Sequence, residues 1–414
     1  MIYIAVLGYG VVGSGVVEVV RKNASSIAQR AGEEIAVKKI LDIRDFPDSP
    51  DRELLTKNAD EVFRDESIKV VAETIGGIGI AYQFTKTALS LGKHVITSNK
   101  ELVATHGPEL LKMAAENNVH YLFEASVGGG IPIIRPLHNC LAANEITHIT
   151  GILNGTTNYI LTQMRRAGKD FNTALKEAQA NGYAEADPTA DIEGHDACRK
   201  IAILSSIAYN EYVDYKKIPT EGISKITLED MRYAEKMESV IKLVGRSMKV
   251  GDKIHATVSP AIIQKSHPLA NVDDVFNAIV VRGDAIGDVM FYGRGAGKLP
   301  TASAVVADII EVVKHKNNSG RNVWNINTEE NMVDPESVKT RYFVRVKVRN
   351  TEEAEKLIKK VFGSVDWINS INEGKKEELA FVTSIDTEVN QKEKVEQLKG
   401  TGSIKEVISF INVL

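Results

Sequence analysis

Cysteine, long apolar runs and basic runs are scarce or missing in this sequence, and each shortage removes a class of function. Two cysteines occur, Cys140 and Cys198, which is too few for a disulfide framework and lacks the C-x-x-C spacing of a zinc site. No apolar run approaches the length of a membrane span, and residues 1–7 form an apolar strand pattern in place of a basic leader. We therefore expect a cytoplasmic protein with no membrane partner.

The sequence also has little excess of charge of either sign. The 51 basic and 55 acidic residues leave a formal net charge of −4, and the basic residues form no run. Without a basic patch there is no electrostatic footprint for nucleic acid. Small-molecule chemistry is the better expectation, and 414 residues with 43% apolar side chains are enough for two or three domains.

The first third of the chain alternates strands with helices. Strand patterns occur at residues 2–7, 35–41, 69–75, 94–97 and 121–125, and helical patterns occur at residues 11–30, 81–91 and 108–117. This alternation predicts an α/β domain with a parallel, doubly wound sheet of the Rossmann type. Ligands of such sheets bind at the carboxyl ends of the strands, which places four residues beside the nicotinamide half of a dinucleotide: Thr74, Gly76, Ser98 and Lys100.

A glycine-rich turn follows the first strand at once. Gly8, Gly10 and Gly13 have the G-x-G-x-x-G spacing between a strand and a helix, which is the context that the motif requires. Gly8 makes the tight turn, Gly10 lets the backbone approach a pyrophosphate, and Gly13 permits close packing of the helix on the strand. The helix N-terminus, at Val11 and Val12, supplies N–H donors to the phosphates. The sequence therefore predicts a dinucleotide site.

Two residues after the second strand give conflicting signals about the cofactor. Asp42 stands where an acid binds the ribose 2′-hydroxyl of NAD. Arg44, two residues later, can hold the 2′-phosphate of NADP. These residues by themselves leave both cofactors open.

Three loops have both a functional and a plainer interpretation. Residues 124–132, EASVGGGIP, offer free carbonyls which with Glu124 suit a hard cation, although a flexible crossover explains the glycines too. Residues 154–159, NGTTNY, open a helix and suit a substrate carboxylate, or are a turn with a helix cap. Residues 293–298, GRGAGK, fail as a nucleoside-triphosphate loop because Leu299 stands where Ser or Thr should bind magnesium. The helix that follows is expected to return to the first domain.

The densest group of charges lies at residues 181–200, NGYAEADPTADIEGHDACRK, with five carboxylates and one lysine. Asp187 and Pro188 predict a helix start. Asp196 and Lys200 are four residues apart, on one helical face. That spacing suits a solvated salt bridge as well as a catalytic pair, and the spacing alone favours the salt bridge.

The end of the chain predicts a separate small domain. After a polar linker at residues 316–340, the order is βαββαβ, with strands at 342–348, 364–371, 378–385 and 406–414 and helices at 351–361 and 390–398. This order is ferredoxin-like. We expect a dinucleotide-binding domain at 1–133 completed by 300–315, an α+β substrate-binding and dimerisation domain at 134–299, the linker, and the ferredoxin-like domain at 341–414.

Four segments, in this order, resemble the monofunctional homoserine dehydrogenases: 124–132, ILNGTTNY at 152–159, GYAEADPTADIEGHDACRK at 182–200 and GRGAGKLPTASAVVADI at 293–309. The C-terminal module is similar to the ACT domain that many members carry. The resemblance implies reversible reduction of L-aspartate 4-semialdehyde to L-homoserine with NADP or NAD, in threonine and methionine biosynthesis. It also implies a homodimer or a homotetramer.

The resemblance further implies roles for single residues. Lys200 is the implied proton donor, which requires burial to lower its pKa, and Asp196 orients it and binds substrate. The implied substrate ligands are Glu185, Asp191, Gly155 and Thr156. Arg44 is the implied 2′-phosphate ligand, which favours NADP, and the implied cofactor set is Gly8, Gly10, Val11, Val12, Gly13, Arg44, Thr74, Gly76, Ser98, Lys100 and Gly297. A sodium site is implied at Glu124, Val127, Gly129, Ile131 and Gly182.

Two other functions compete with this one. An aspartate-semialdehyde dehydrogenase needs an activated thiolate, whereas Cys140 and Cys198 have the character of packing residues. A catalytically silent nucleotide and amino-acid sensor, built on the Rossmann and ACT parts, has no need of Glu185, Asp196 and Lys200 together.

The C-terminal module is not expected to be a strong threonine switch. Its loop after the first strand, residues 349–353, lacks the glycine that close approach to an amino acid requires. We expect the module to assemble or steady the protein, with its strand edges free to pair with a second copy.

Overall fold

The structure, a computed structural model, describes residues 1–316, 323–326, 330–334, 338–371, 377–399 and 401–414. The chain forms two compact units. The first contains Met1–Thr147, Arg199–Lys216 and Val281–Glu330, and the second contains His148–Cys198, Lys217–Val280 and Asn331–Leu414. No helix in these ranges is both long enough and apolar enough to cross a membrane.

The helices and strands of the described residues are as follows. The strands are β1 Ile2–Leu7, β2 Ile35–Leu41, β3 Leu55–Thr56, β4 Ile68–Glu73, β5 His94–Thr97, β6 Tyr121–Leu122, β7 Ile146–Ile152, β8 Ser239–Val250, β9 Lys253–Gln264, β10 Phe276–Gly283, β11 Gly287–Arg294, β12 Lys339–Val348, β13 Val365–Ile368, β14 Glu378–Thr383, β15 Asp386–Thr387 and β16 Ile404–Val413. The helices are α1 Val11–Lys22, α2 Ala24–Ala31, α3 Asp60–Phe63, α4 Gly79–Ser90, α5 Lys100–Glu116, α6 Gly155–Ala167, α7 Phe171–Ala180, α8 Thr189–Ile192, α9 His195–Tyr209, α10 Leu228–Lys236, α11 Lys298–Lys314, α12 Thr351–Phe362 and α13 Glu388–Lys399.

A parallel sheet in the order β3-β2-β1-β4-β5-β6 forms the first unit. The chain reverses direction across the sheet between β1 and β4, which is the doubly wound arrangement that the sequence predicts. The buried core of this sheet also contains Val305, Val306 and Ile309 of α11, packed with Val16 and Val17 of α1. The expected return of this late helix to the first domain is therefore confirmed.

The start of α5 differs from the prediction. The sequence pattern placed it at Pro108, but the helix begins at Lys100, where the Asn99 side chain caps it by accepting from the Leu102 N–H at 3.0 Å. Pro108 lies inside the helix, where its missing N–H leaves the Ala104 carbonyl without its helical donor. The Tyr212 hydroxyl donates to that carbonyl at 3.0 Å, so a tertiary contact replaces the lost bond.

Two smaller features of the first unit were missed. The single helix predicted at residues 11–30 is split at Asn23 into α1 and α2. The short elements β3 and α3 follow β2 and were not predicted. Each is only two to four residues long, which is too short for a hydrophobic period to show.

A second sheet runs through the second unit, in the order β10-β7-β8-β9-β16-β12-β14-β13. Its longest pair is the antiparallel hairpin β8–β9, in which every residue of Ser239–Val250 has a partner. One face buries a core that includes Ile152, Val240, Val244 and Ile263. These strands position the loops that carry the candidate substrate residues.

The C-terminal module has its strands in the order β16-β12-β14-β13, paired antiparallel. With α12 and α13 this is the predicted ferredoxin-like fold. One expectation about it needs correction: the edge strand β16 pairs in parallel with β9, Asn412 opposite Ala261, so that edge is joined to the neighbouring sheet of the same chain. The end of that edge, at Asn412 and Val413, is therefore not free to pair with a second copy.

The predicted linker, residues 316–340, lies partly outside the described residues. Its described part includes Trp324, which is buried and packs closely on Gly107 of α5, with the Tyr212 ring 6.3 Å away. This segment therefore belongs to the core of the first unit and is not a simple tether.

Candidate active site

The glycine-rich turn between β1 and α1 is too tight for a side chain at Gly8 and Gly13, whereas Gly10 has room on its Cβ side. Gly8 has φ +89°, and a Cβ atom on Gly13 would lie 1.8 Å from the Gly8 carbonyl oxygen. The Thr74 hydroxyl donates to the carbonyls of Leu7 and Gly8, both at 2.9 Å, and so holds the turn closed. Thr74, predicted as a cofactor ligand, thus acts on the turn itself. A turn this closely packed leaves the first N–H groups of α1 clear for a pyrophosphate.

Asp42 and Arg44, which predict different cofactors, form an ion pair with each other. The Arg44 guanidinium donates to both carboxylate oxygens of Asp42, at 3.0 and 2.7 Å. The backbone N–H groups of Arg44 and Tyr9 donate to the same oxygens at 2.9 and 2.7 Å. The Arg44 side chain lowers the pKa of Asp42 to about 2. Each Asp42 oxygen accepts two hydrogen bonds, which fills the usual capacity of a carboxylate.

The loops after β4 and β5 are tied together by Asn99. Its side-chain amide donates to the carbonyls of Ile75 and Gly77, at 3.1 and 2.6 Å. Gly76 lies exposed between those two residues, with open space around it. Ser98 precedes Asn99 and Lys100 is the first residue of α5. The four predicted residues of this region therefore lie at one fixed edge of the sheet, and their contact with the nicotinamide stays a prediction.

Glu73, which the sequence analysis did not single out, is fully buried at the end of β4. Its carboxyl group accepts from the Thr97 hydroxyl at 2.5 Å and from the Ile75 N–H at 2.6 Å. Burial raises the pKa of Glu73 to about 7. An acid as the last residue of a buried strand was the signal that could have identified it.

Replacing Glu73 by glutamine is expected to flatten the pH dependence of stability. Because the folded-state pKa is raised, the folded protein holds a proton between pH 4.5 and 7 that the unfolded chain releases, so wild-type stability falls as pH rises through this window. The loss is roughly 3 kcal/mol. Denaturant unfolding from pH 4 to 8 measures it, with Glu116→Gln, an exposed acid of α5, as control. Parallel curves for wild type and Glu73→Gln would show that Glu73 is ionised in the fold.

Two glycine-rich segments of the first unit lie backbone against backbone. A Cβ on Gly129 would lie 2.3 Å from the Gly295 carbonyl oxygen, and the Gly130 N–H donates to the Arg294 carbonyl at 3.2 Å. Gly297 caps α11 with φ +125°. Lys298, the first residue of α11, forms an ion pair with Glu18 of α1 at 2.7 Å.

The Glu124 carboxylate is occupied by the backbone. It accepts from the N–H groups of Ile133, Ile134 and Arg135 at 2.6 to 2.8 Å. The structure therefore gives no support to Glu124 as a side-chain ligand of a cation. The other predicted ligands of this loop, Val127, Gly129 and Ile131, would act through backbone carbonyls. Gly182 belongs to the second unit, where it ends the turn after α7 by donating to the Gln179 carbonyl.

Asn154 joins the two predicted acids of the second unit. Its side-chain amide donates to Asp191 at 2.7 Å and to Asp196 at 2.9 Å, while its oxygen caps α6 by accepting from the Thr157 N–H. Asn154 was not among the predicted site residues, because only its place before a helix was visible in the sequence. The amide fixes the buried carboxylate of Asp196 and the half-buried carboxylate of Asp191 in one cluster, which suits a cationic substrate group or a protonated side chain.

The remaining predicted substrate residues differ in their contacts and in their exposure. Thr156 donates its hydroxyl to the Tyr183 carbonyl at 2.6 Å, and Gly155 packs against the Val275 carbonyl, so that both hold the loop. Glu185 is exposed, and its carbonyl accepts from the Gln179 side chain at 3.0 Å. Among the described residues no hydrogen bond joins Glu185 to Asn154.

Asp196 and Lys200 are one turn apart on α9, and both are buried, with 4% and 7% of their surfaces exposed. The division between the two units falls inside this helix, after Cys198. A solvated salt bridge would be exposed, so burial favours the catalytic interpretation over the plainer one. Cys198 is buried in the same helix, as expected for a packing residue, whereas Cys140 is exposed, so the expectation is wrong for Cys140.

The helix α9 is tied to α5 in the first unit. Arg199 forms an ion pair with Glu101 at 3.1 Å, and Tyr212, just beyond the helix, donates to Ala104. Lys200 and Lys100 each adjoin one member of the Arg199–Glu101 pair. The two predicted functional lysines are therefore carried by helices that are held together.

Comparison with known proteins agrees with this geometry. The homoserine dehydrogenase family model matches residues 132–310, and the model of the homoserine dehydrogenase NAD binding domain matches residues 8–124. The homoserine dehydrogenase of Bacillus subtilis (strain 168) is 40% identical over 368 residues, which cover 87% of this chain and 84% of that protein. That of Neisseria gonorrhoeae is 46% identical over 75% of this chain and 72% of its own.

Solved structures give the same result. The crystal structure of a homoserine dehydrogenase from Thiobacillus denitrificans has a TM-score of 0.91 at 37% identity, covering 100% of this chain and 98% of that one. A hyperthermophilic archaeal homoserine dehydrogenase in complex with NADPH has a TM-score of 0.64 at 29% identity, covering 75% of this chain and 97% of its own. These matches do not favour the silent sensor, and the chain belongs to the homoserine dehydrogenase family.

Proposed function

We propose that this chain is an NAD(P)-dependent oxidoreductase that interconverts L-homoserine and L-aspartate 4-semialdehyde, as part of threonine and methionine biosynthesis. The observation that carries the proposal is the cluster in which Asn154 holds Asp191 and Asp196 together, with Lys200 one turn further along α9. A silent sensor would have no use for a buried lysine one helical turn from a buried carboxylate that an amide holds in place. Incubating the protein with homoserine and NADP and following absorbance of the reduced cofactor tests the proposal, which fails if no reduced cofactor forms.

Each residue of the cluster has a proposed task in the reaction. The nicotinamide, when bound, supplies the hydride that reaches the aldehyde carbon, or accepts it in the reverse direction. Lys200 donates the proton that the aldehyde oxygen takes up, and recovers it when homoserine is oxidised. Asp196 orients Lys200 and Asn154 orients Asp196. Asp191 and the exposed Glu185 bind the substrate ammonium group, for which opposite charge is the requirement.

The residues of the first unit fit a dinucleotide. The turn before α1 is so tight that Gly13 has no room for a Cβ, which keeps the helix N-terminus close to the strand. The first turn of α1 carries no acidic side chain that would repel a pyrophosphate bound at that N-terminus. Lys100, at the start of α5, is proposed to lie on the nicotinamide side.

We propose that NADP is preferred over NAD. Asp42 binds a ribose 2′-hydroxyl only if it has a free acceptor site, and its oxygens already accept four hydrogen bonds. The Arg44 guanidinium has five N–H groups, of which two are used by Asp42, and its side chain is 57% exposed. The remaining N–H groups of Arg44 suit a 2′-phosphate. Asp42 alone would repel that phosphate, but the Asp42–Arg44 ion pair has no net charge.

Arg44→Ala is expected to raise KM for NADP by roughly tenfold to a hundredfold, because charge-assisted hydrogen bonds to the phosphate are lost. KM for NAD should stay constant or fall, since the variant releases Asp42 to bind the 2′-hydroxyl. Steady-state kinetics with both cofactors measure the change. Arg64→Ala, which removes an exposed arginine paired with Asp60, is the control. An equal rise in both KM values would assign Arg44 a structural role.

A monovalent cation, sodium, is proposed at the carbonyls of Val127, Gly129 and Ile131. Hard cations take oxygen ligands, and the backbone packing of residues 128–130 on residues 294–296 fixes this loop. Activity is expected to be higher in sodium chloride than in choline chloride at equal ionic strength. Equal rates would remove the cation from the proposal.

A homodimer or homotetramer in the cytoplasm is proposed on the family's behaviour. The end of β16 is paired with β9 of the same chain. Strand β13 forms the other edge of the module's sheet, and a second copy could pair there. Sedimentation velocity of the full chain distinguishes these assemblies from a monomer.

A further inference from the structure

A cavity of about 430 Å³ lies within the second unit, between the β8–β9 hairpin and the ferredoxin-like module. Residues of β8, β9, β12, α13 and β16 line it, together with the loop at residues 219–221. Its volume lies within the range of small-molecule pockets. None of the residues proposed above for catalysis, substrate or cofactor lines it, so the cavity has no assigned role.

Arg246 extends into this cavity from β8. It stands opposite Thr257 of β9, and Met248 stands opposite His255, so that the four side chains share one face of the hairpin. Arg246 is half-buried, and burial lowers its pKa, with the Tyr342 hydroxyl acting against it. Within the described residues no carboxylate and no hydrogen-bond acceptor pairs with its guanidinium. A half-buried cation that lines a cavity without a counter-charge is only partly solvated, which makes Arg246 the unusual feature of the cavity.

A buried arginine in the same unit shows what a complete set of partners looks like. Arg345 of β12 is 3% exposed and forms an ion pair with Asp230 of α10 at 3.2 Å. It also donates to the hydroxyls of Thr227 and Ser409, at 2.9 and 3.3 Å. The docking of the module thus satisfies Arg345 from within the chain. Arg246, by contrast, is left for a partner from outside.

Other polar atoms around the cavity also lack partners. The Nδ1 atom of His255, a residue only 8% exposed, and the Oδ1 atom of Asn412 are buried without a hydrogen bond in the described part of the chain. Burial lowers the pKa of His255 to about 4, with Arg246 adding to the effect, so its ring is neutral. Lys339 adds positive charge, whereas the charges of Lys392 and Glu388 offset each other in an ion pair at 2.5 Å. Glu221 is exposed.

The wall of the cavity is apolar and aromatic. The rings of Tyr342 and Phe410 are stacked 3.8 Å apart, and Pro219, Val258 and Pro260 continue that surface. An inorganic anion would satisfy Arg246 but would leave this surface without a contact. A guanidinium binds a carboxylate through two parallel hydrogen bonds, and a short carbon chain would cover the apolar wall. We propose that this cavity is a binding site for a small organic carboxylate, held by Arg246.

The loop at residues 219–222 connects the cavity to the substrate cluster. Its Glu221 N–H donates to the Val258 carbonyl at 2.8 Å, beside the cavity. On its other side Ile223 donates to the Ile192 carbonyl at 2.8 Å, and Gly222 packs so closely on Ile192 that a Cβ would lie 2.1 Å from that carbonyl oxygen. Asp191 immediately precedes Ile192. A carboxylate that shifts this loop therefore shifts a residue of the substrate cluster, which makes the cavity regulatory; this second step rests on the proposed function.

Calorimetric titration of the full chain tests the binding. Succinate is expected to bind once per chain with a Kd of about 1 mM or tighter, whereas its neutral analogue succinamide and inorganic sulfate bind at least about tenfold more weakly. Arg246→Met should weaken succinate binding by at least about tenfold, and Arg232→Met, at an exposed position of α10, should leave it unchanged. Absence of succinate binding, equal binding of sulfate, or unchanged binding by Arg246→Met would overturn the proposal.

A thermal unfolding experiment without ligand gives an independent readout. Methionine has a similar length and no charge to desolvate, so Arg246→Met is expected to keep or raise the Tm. A fall of several degrees would mean that Arg246 already has a partner in the fold, and would contradict its assignment to a ligand.

The regulatory step is tested separately by kinetics. Saturating succinate is expected to change KM for homoserine by about fivefold or more in wild type and Arg232→Met, and not in Arg246→Met. Binding without any change in KM would overturn the regulatory step. If the chain failed to oxidise homoserine at all, the proposed function would fall while the calorimetric result would still decide the site.

Discussion

Lys200→Ala is expected to lower kcat by about a hundredfold or more while leaving cofactor affinity intact. A positioned general acid typically contributes that much to the rate, and no other lysine occurs on α9 to replace it. The burial of Lys200 and its position one turn from Asp196 are the physical reasons for expecting a large effect. Steady-state kinetics in both directions, with cofactor titration by fluorescence, measure the two quantities.

The control for this variant is Lys176→Ala, which removes an exposed lysine of α7. It should keep wild-type turnover, and circular dichroism should show the same fold for both variants. A Lys200→Ala protein with near-normal kcat would return the Asp196–Lys200 pair to the role of a structural salt bridge.

Gly13→Ala is expected to weaken cofactor binding by about tenfold to a hundredfold, because backbone hydrogen bonds to the charged pyrophosphate are lost when the turn is displaced. The added methyl group would lie 1.8 Å from the Gly8 oxygen and 2.7 Å from the Thr74 hydroxyl. Neither can move away easily, because Thr74 already holds the Gly8 carbonyl and Gly8 has a positive φ. The turn must open, and the N–H groups of α1 then lose their alignment.

Fluorescence titration with NADPH measures this loss. Gly402→Ala is a suitable control, since a Cβ there meets nothing within 4 Å and no positive φ occurs at that residue. Cofactor affinity within a few fold of wild type for Gly13→Ala would show that the turn tolerates a side chain and that the description of its packing is wrong.

The parts of the fold that were predictable from the sequence are those with a local pattern. Strand β1, the glycine-rich turn and the start of α1 follow from residue order alone, because periodicity and glycine spacing both act over a few residues. The start of α5 was missed although its signal was present: Asn99 is a good N-cap, but Pro108 suggested a later start. Only the Tyr212 hydroxyl, over a hundred residues away, makes that proline tolerable.

The candidate site divides in the same way. Residue types at the right places in the sequence, such as Lys200 and the three glycines, could be found without coordinates. What could not be found is which polar atoms are already occupied. Asp42 and Glu124 both have the chemistry predicted for them, but backbone N–H groups and Arg44 fill their acceptor sites. Asn154 and Arg246 could not be identified from the sequence for a related reason. Asn154 matters because two distant carboxylates accept from it, and Arg246 matters because no described residue neutralises it.

The contact between Tyr212 and Ala104 has a consequence for how this protein can vary. With proline at position 108 the hydroxyl is the donor that the Ala104 carbonyl requires, whereas a residue with an N–H at 108 would make the hydroxyl redundant. The two positions are therefore epistatic. If the Tyr212 hydroxyl is lost first, the intermediate protein has an Ala104 carbonyl without a donor inside α5. If Pro108 is replaced first, the new N–H supplies that donor and the intermediate is not destabilised in this way. Among relatives, phenylalanine at the position of Tyr212 is expected only where the proline of α5 has already gone.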